Sequence, residues 1–519
     1  MSADLEAPPD AGSGGARRPP QRSRRTARSF GGALGLTVLG AVVPGTGFLA
    51  AGRRKLGALT LVLFLLLVGG ALYLATVGRH AAVQLAVSTS SLLWVIGGVA
   101  LIGLLWVVVI AAGYRMLAPT GTRALQHVVG TLLVVLLAVA VALPAYWVVR
   151  LADAQRGLIN GVFADHQSAT VQDEPNPFAG KARVNVLLLG GDSGPGRDGL
   201  RTDTVIVASI DTHTGDTTLF SLPRNLENLP FPPNSPMAQF YPNGFEASSE
   251  SEGLLNAVYR NGPAQHPGIL GPTDDEGADW LKLGVGQALG LHIDYFVLVN
   301  LEGFSRLVDA LGGVTVNVNY WVPINGDPGT GQLPDDYIGP GPHQHLDGFH
   351  ALQFARGRFG LTDYDRMARQ RCTLGAIVQA ADPVTVLRKY QQITETTQDM
   401  VSTDIPQSAL SDFVDLGFLV KDAEVHSVVF DNTLIDPAYP DYDQMRQVVQ
   451  TALSAPAATS SSSSAAPTTG TTAPVPSGTA GETPPPATSP VADVGNACAY
   501  NPTQAQQALA QGKPPTRNG

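Results

Sequence analysis

Three runs of sequence decide the fold: Arg183-Val-Asn-Val-Leu-Leu-Leu189, Val205-Ile-Val-Ala-Ser-Ile210 and Thr217-Thr-Leu-Phe-Ser-Leu222. Each is short and almost continuously apolar, a pattern that suits strands covered on both faces. Further strands are expected near 294–300, 313–319 and 424–430. Helices are expected over 279–290, 301–311, 348–355, 363–381 and 441–454. Strands and helices that alternate in this way predict an α/β domain over residues 181–454, with one central sheet flanked by helices.

Upstream, residues 31–150 read as a membrane region with four apolar stretches. Those near 57–77, 91–113 and 128–149 each have about the ~20 apolar residues needed to span a bilayer. The first, 31–50, is interrupted by Pro44-Gly45 and is expected as a re-entrant or fourth segment. Arg53, Arg54 and Lys55 follow that stretch, and Arg115 and Arg123 follow the third. Basic loops favour the cytoplasm. With three spans, both basic loops and the arginine-rich arm 1–30 are cytoplasmic, and everything after Arg150 lies outside. With four, the Arg-Arg-Lys loop is misplaced. The expectation is therefore a multi-pass cell-membrane protein with an extracytoplasmic main domain. Residues 151–180 read as a stalk, and 455–495, dominated by Ser, Thr, Ala, Pro and Gly, as a linker. Residues 496–519 read as a short polar tail with no fold of its own.

The net charge of −10 argues against nucleic acid as a partner of the whole chain. Cys372 and Cys498 are the two cysteines, so neither a zinc cluster nor a disulfide scaffold is available. In an oxidising exterior they could pair and tie the tail back onto the domain, the alternative being two free or intermolecular thiols. The cluster His343, His345 and His350 reads as ordinary loop and helix-start chemistry.

The chemistry lies in a dispersed set of acids and arginines. Asp192 ends the first strand run, and Arg201-Thr-Asp203 begins the second. Arg224 follows the third in Ser-Leu-Pro-Arg. Arg356 and Arg358 stand two apart, which in extended chain places them on one side. On the helix 363–381, Asp363, Arg366 and Gln370 share a face with Leu374 and Ile377, at about 100° per residue. That face is polar for two turns and apolar afterward, as expected for a pocket floor beside a hydrophobic interior. Arginine forks match phosphate oxygens. Carboxylates among such forks are best explained by a hard divalent cation that joins them to the phosphate. The set predicts a pyrophosphate-handling site. Gly191-Asp-Ser-Gly-Pro195 is a decoy: it resembles the nucleophile loop of trypsin-like proteases, but those enzymes need a histidine and an aspartate from a folded domain earlier in the chain, and upstream here lie almost only the membrane region and a short stalk.

With these residues in place, the domain resembles the LCP (LytR–CpsA–Psr) family of cell-envelope enzymes. The stretches that carry the resemblance are Asn185–Asp192, Arg201-Thr-Asp-Thr, Phe220–Arg224, Leu255–Tyr259, Gly284–Val314, Leu346–Arg358 and Asp363–Gln370. The resemblance implies a mixed central sheet, a long apolar pocket for a polyprenyl chain, and a metal–pyrophosphate site at its mouth. It also implies transfer of a glycopolymer from a polyprenyl-pyrophosphate carrier to peptidoglycan. By position, Asp192 and Asp203 would hold Mg²⁺ (or Mn²⁺). Arg224, Arg356, Arg358 and Arg366 would grip the pyrophosphate with Asp363 beside them, and Gln370 and Arg201 would assist. Two departures stand out: Asn225 where the family usually has Asp, and Leu254 where it often has Lys. The alternatives are a polyprenyl-pyrophosphate pyrophosphatase or a non-enzymatic lipid-binding or regulatory envelope protein. The arginine-rich arm, the Pro-rich tail and the Gly, Ala and Val content suggest an actinobacterial member.

Overall fold

The computed structural model describes residues 27, 29–119, 123–163, 167–171, 177–191, 200–381, 401–454, 491–493 and 498–517. The chain forms two compact units, Met1–Gly78 with Trp94–Leu151 and Arg79–Leu93 with Ala152–Gly519.

In the first unit, three helices are long and apolar enough to cross a membrane: Arg54–Thr76, Thr89–Leu117 and Ala124–Val162, the last running on into the second unit. The stretch expected as re-entrant contains the helix Phe30–Val42 and the short helix Thr46–Ala50. Thirteen residues rise only about 20 Å, less than a hydrocarbon core. Gly45 stands between the two at φ 101°, and a Cβ there would lie 2.5 Å from the Gly57 carbonyl oxygen. Trp106 Nε1 donates to Ala41 O at 3.0 Å. The Pro-Gly break thus turns the chain back against the start of the next helix.

The second unit is built on a seven-stranded mixed sheet. Its strands are β1 (Arg183–Gly191), β2 (Thr202–Asp211), β3 (Thr217–Leu222), β4 (Tyr295–Asn300), β9 (Val401–Thr403), β10 (Val425–Val429) and β11 (Val491–Asp493), in the order β11-β10-β3-β2-β1-β4-β9. β1 is parallel to β4 and antiparallel to β2, and β2 is antiparallel to β3. The carboxyl ends of β1 and β3 and the start of β2 therefore meet at one edge, where α/β sheets bind ligands. One face carries the main core, in which Leu187, Val207, Phe220 and Phe296 pack against Trp280, Leu281 and Val285 of the helix Glu276–Leu289. The helices Leu255–Gln265 and Tyr442–Ser454 complete that layer. On the other face Ile206, Ala208 and Leu219 meet Leu374 of the helix Asp363–Ala380.

The expectation of a single sheet needs correction. The run near 313–319 is β5 (Val314–Val318), which pairs with β8 (Gly341–Leu346) outside the central sheet. β6 (Val322–Ile324) and β7 (Asp336–Ile338) form a third, two-stranded sheet. These small sheets and the helices Leu301–Leu311 and Gly348–Arg356 enclose a second core around Val308, Val316, Val322 and Phe354. His343 and His345 lie on β8, and His350 opens the helix that follows.

The C-terminal segments are tied back by the cysteine pair, as raised from sequence, but they carry more local structure than expected. Among the described residues the end of the linker contributes β11 to the sheet edge, and the tail forms a helix, Pro502–Gln511. Cys498 is bonded to Cys372, with Cα atoms 4.8 Å apart, and packs with it against the second core. Asn317 and Trp321 donate to the carbonyls of Cys498 and Ala508, at 2.7 and 3.0 Å. A largely polar segment is ordered here by cross-link and hydrogen bonds together with the burial of Ala505 and the partial burial of Cys498. Removing the bond with Cys372→Ser/Cys498→Ser is expected to destabilise the fold by about 2–5 kcal/mol, read from the shift in denaturant midpoint. As a direct check, protein cut at a protease site inserted within 455–490 should keep its C-terminal fragment in denaturant until reductant is added. Release without reductant would show the bond absent.

Candidate active site

The site begins where β1 and β2 lose register. Gly190 pairs with Thr204 but Gly191 pairs with Thr202, so Asp203 is an extra residue in a bulge. Bulges re-aim side chains, and here Asp203 Oδ1 accepts from Arg224 at 3.0 Å and from the Asn256 amide at 3.0 Å. A Cβ on Gly190 would fall 2.8 Å from Thr204 Cβ, so the glycine makes room for that side chain. Thr204 Oγ1 in turn accepts from Gln370 Nε2 at 2.8 Å. Asp192 lies outside the described residues.

The helix Asp363–Ala380 supplies the second half. Thr362 caps it, its hydroxyl accepting from Asp365 N at 3.1 Å while the Asp365 carboxylate accepts from Thr362 N at 2.9 Å. This reciprocal box fixes the first turn, and with it Asp363 and Arg366. Asp363 meets three arginines: Arg366 at 3.0 Å, Arg224 at 3.7 Å and Arg358 at 3.9 Å. Arg366 is only 4% exposed. The structure thus brings Asp203, Arg224, Asp363, Arg358 and Arg366 into one chain of ion pairs, linked through Thr204 to Gln370. Of the face read from sequence, Arg366 is buried in the site, Leu374 packs half-buried against the sheet, and Ile377 packs against the second core.

One reading is revised. Arg356 is not in extended chain beside Arg358: it is the last residue of the helix Gly348–Arg356, half-buried. Gly357 then turns the chain out, and a Cβ there would lie 2.6 Å from Pro323 O. Arg201 pairs with Glu252, which also holds Arg260.

Sequence reasoning missed Asn256 and Arg369. Arg369 is buried, and it donates to Phe354 O at 2.7 Å, to the Tyr320 hydroxyl at 2.9 Å and to Gly357 O. It therefore clamps the turn that carries Arg356 and Arg358. The signal was an arginine three residues after Arg366, and nothing in the pattern marked it as structural rather than ligand-facing.

Burial pushes the Asp203 carboxyl up, but Arg224, the Asn256 amide and Arg366 outweigh it and hold the group below its usual value. Burial likewise pulls the Arg366 guanidinium down, against the raising effect of Asp363 and Asp203. A carboxyl depressed in the folded state adds stability that is complete above its unfolded value, about pH 4. That contribution is lost as pH falls through the depressed value. Acid titration of unfolding should therefore be less steep below about pH 4 in Asp203→Asn than in the parent. Equal slopes would contradict the assignment.

The donor set fits a hard cation that arrives with its phosphates. Asp203 keeps one oxygen without a hydrogen bond among the described residues, and Asp363 Oδ1 is buried without one. Arginines outnumber carboxylates, so the excess charge calls for an anion. Among the described residues no three His, Cys, Asp or Glu side chains converge. A cation here would therefore complete its shell with phosphate oxygens and water, as Mg²⁺ does.

Residues 159–449 match the LytR_cpsA_psr family model, more than half the chain. The protein belongs to the LytR_cpsA_psr family. A polyisoprenyl-teichoic acid–peptidoglycan teichoic acid transferase TagU of Enterococcus faecalis is 29% identical over 232 residues, covering 43% of this chain and 62% of that protein. Biofilm regulatory protein A of Streptococcus mutans is 24% identical over 288 residues, covering 54% of this chain and 64% of that protein. The chain thus spans less than two thirds of the length of these curated relatives. The crystal structure of B. subtilis TagV aligns with a TM-score of 0.35 at 22% identity, covering 52% of this chain and 96% of that one.

Proposed function

We propose that this LytR_cpsA_psr member transfers a glycopolymer from a polyprenyl-pyrophosphate carrier to peptidoglycan. The observation that carries this reading is the linked set of Asp203, Asp363, Arg224, Arg358 and Arg366 at the carboxyl edge of the sheet. An acceptor hydroxyl attacks the phosphorus that bears the sugar and a new P–O bond forms. The bridging P–O bond breaks, and polyprenyl phosphate leaves with its electron pair. Arg224, Arg358 and Arg366 stabilise the charge that gathers on the bridging and leaving oxygens. Asp363, whose Oδ1 lacks a hydrogen-bond donor, takes the hydroxyl proton. Asp192 and Asp203 would hold Mg²⁺ or Mn²⁺, which when bound supplies further neutralisation of the pyrophosphate.

Two features support an extracytoplasmic domain above a three-span anchor. The basic residues at 53–55 and at 115 and 123 then lie in the cytoplasm. The disulfide suits an oxidising exterior.

The test is release of polyprenyl phosphate from a polyprenyl-pyrophosphate sugar by full-length protein in detergent, with Mg²⁺ and with chelator. Release that needs both the cation and Asp203 supports phosphoryl chemistry at this site, and label reaching an added peptidoglycan-fragment acceptor separates transfer from hydrolysis. Tight binding of the lipid with no release would favour a lipid-binding or regulatory role instead.

A further inference from the structure

Transfer as proposed needs a place for the acceptor, and the following rests on that reading. Four residues after Arg224 the chain reaches Asn228, at most about 14 Å along the backbone. There a groove of about 720 Å³ opens between the loops around 228–244 and 439–440 and the helices Glu276–Leu289 and Tyr442–Ser454. It lies on the same loop as Arg224 but shares none of the acids and arginines of the site.

Its chemistry is aromatic and amide rather than ionic. The Tyr439 ring is 84% exposed at its edge. Asn228, Asn243 and Gln287 line it with side-chain amides that make no hydrogen bond among the described residues. Asn228 holds a left-handed φ of 52°, locked from behind by Gly244, where a Cβ would lie 2.1 Å from Asn228 O. Tyr442 donates to Glu227 O at 2.6 Å and so ties the groove wall to the Arg224 loop. Among the described lining residues the one charged group is Arg446, and it is already paired with Asp443 at 2.6 Å and bonded to Gln287 O at 2.9 Å. A phosphate-rich donor would require free cations. An exposed ring with uncommitted amides instead fits a neutral ligand that has apolar faces and many hydrogen-bonding groups.

We propose that this groove binds the uncharged, N-acetylated sugar backbone of the acceptor and leads its hydroxyl toward Arg224. Stacking of a sugar face on Tyr439 sets the line of the strand, and Asn243 and Gln287 read its acetamido and hydroxyl groups.

The test uses full-length protein in detergent and an N-acetylglucosamine oligomer as probe, with binding followed by ligand-observed NMR and titration calorimetry. Tyr439→Ala, at an exposed position, should fold as the parent does. It should bind the oligomer at least about tenfold more weakly, roughly the loss expected of one aromatic contact. The same variant should raise KM for a peptidoglycan-fragment acceptor while leaving polyprenyl phosphate release without acceptor unchanged. Gln287→Ala should act in the same direction. Unchanged oligomer affinity and acceptor KM in both variants would overturn the groove while leaving transfer intact. Oligomer binding that depends on Tyr439 in a protein that never turns over the lipid donor would uphold the groove and retire the transfer reading.

Discussion

Arg366→Ala is expected to lower the rate of polyprenyl phosphate release by about 10²–10³-fold, the range seen when one preorganised charge-stabilising group is removed. The side chain is buried, bonded to Asp363 at 3.0 Å, and one of the charges that hold the Asp203 carboxyl below its usual value. Its loss therefore acts twice. A cation that faces the pyrophosphate disappears, and two carboxylates are left with less compensation, so that Asp203 shifts upward. Arg366→Lys should recover little, because a point charge cannot reproduce a planar fork between a carboxylate and a phosphate. Thermal unfolding of the same variants separates this from misfolding. A rate within twofold of the parent, in a folded variant, would remove Arg366 from the site.

Lys282→Met is expected to cost about 3–5 kcal/mol of stability at neutral pH, the penalty for leaving one member of a buried ion pair uncompensated. Lys282 is 1% exposed on its side chain and donates to Asp404 Oδ2 at 2.5 Å and to Asp294 O at 3.0 Å. Asp404 also accepts from Phe296 N, and burial already raises its carboxyl despite Lys282. Without the lysine that carboxyl rises further. A carboxyl raised in the folded state binds its proton more tightly there, so the variant should gain stability as pH falls through the raised value toward the ordinary carboxyl value. Lys282→Met/Asp404→Asn should recover most of the loss. Denaturant unfolding at pH 7 and pH 5 reads both effects. A single variant within 1 kcal/mol of the parent at pH 7 would place the pair outside the interior.

The central strands were legible because β1, β2, β3 and β4 are buried on both faces and their apolar runs say so. β5 was legible as a strand but not as a member of another sheet, because an apolar run does not name its partner. Its partner β8, Gly-Pro-His-Gln-His-Leu, is largely exposed and carries no alternating signal. The helix Leu255–Gln265 was missed because Asn261-Gly-Pro263 reads as a break, although Pro263 falls inside it. The tail's cross-link was raised from sequence, but its helix was not. Composition reports burial, and the tail is held by one disulfide and by donors such as Asn317 and Trp321.

The site followed the same division. Residue types foretold that arginines and aspartates would converge, and Asp203, Arg224, Arg358, Asp363, Arg366 and Gln370 do so. Spacing alone could not place Arg356 at a helix end or separate Arg366, paired with Asp363, from Arg369, three residues later on the same helix. Nor could it show that Arg201 has Glu252 as its partner, because that pairing joins residues 51 apart.

The measurement closest to the central claim is transfer itself. Full-length protein with Mg²⁺, a radiolabelled polyprenyl-pyrophosphate glycopolymer and peptidoglycan fragments would be assayed for label that becomes acceptor-bound through an acid-labile phosphodiester. Label on the acceptor, matched by polyprenyl phosphate released and lost in Asp203→Ala and Arg358→Ala, is the predicted result. Polyprenyl phosphate released in full with the label left on a free sugar phosphate would contradict it, and would make the protein a pyrophosphatase.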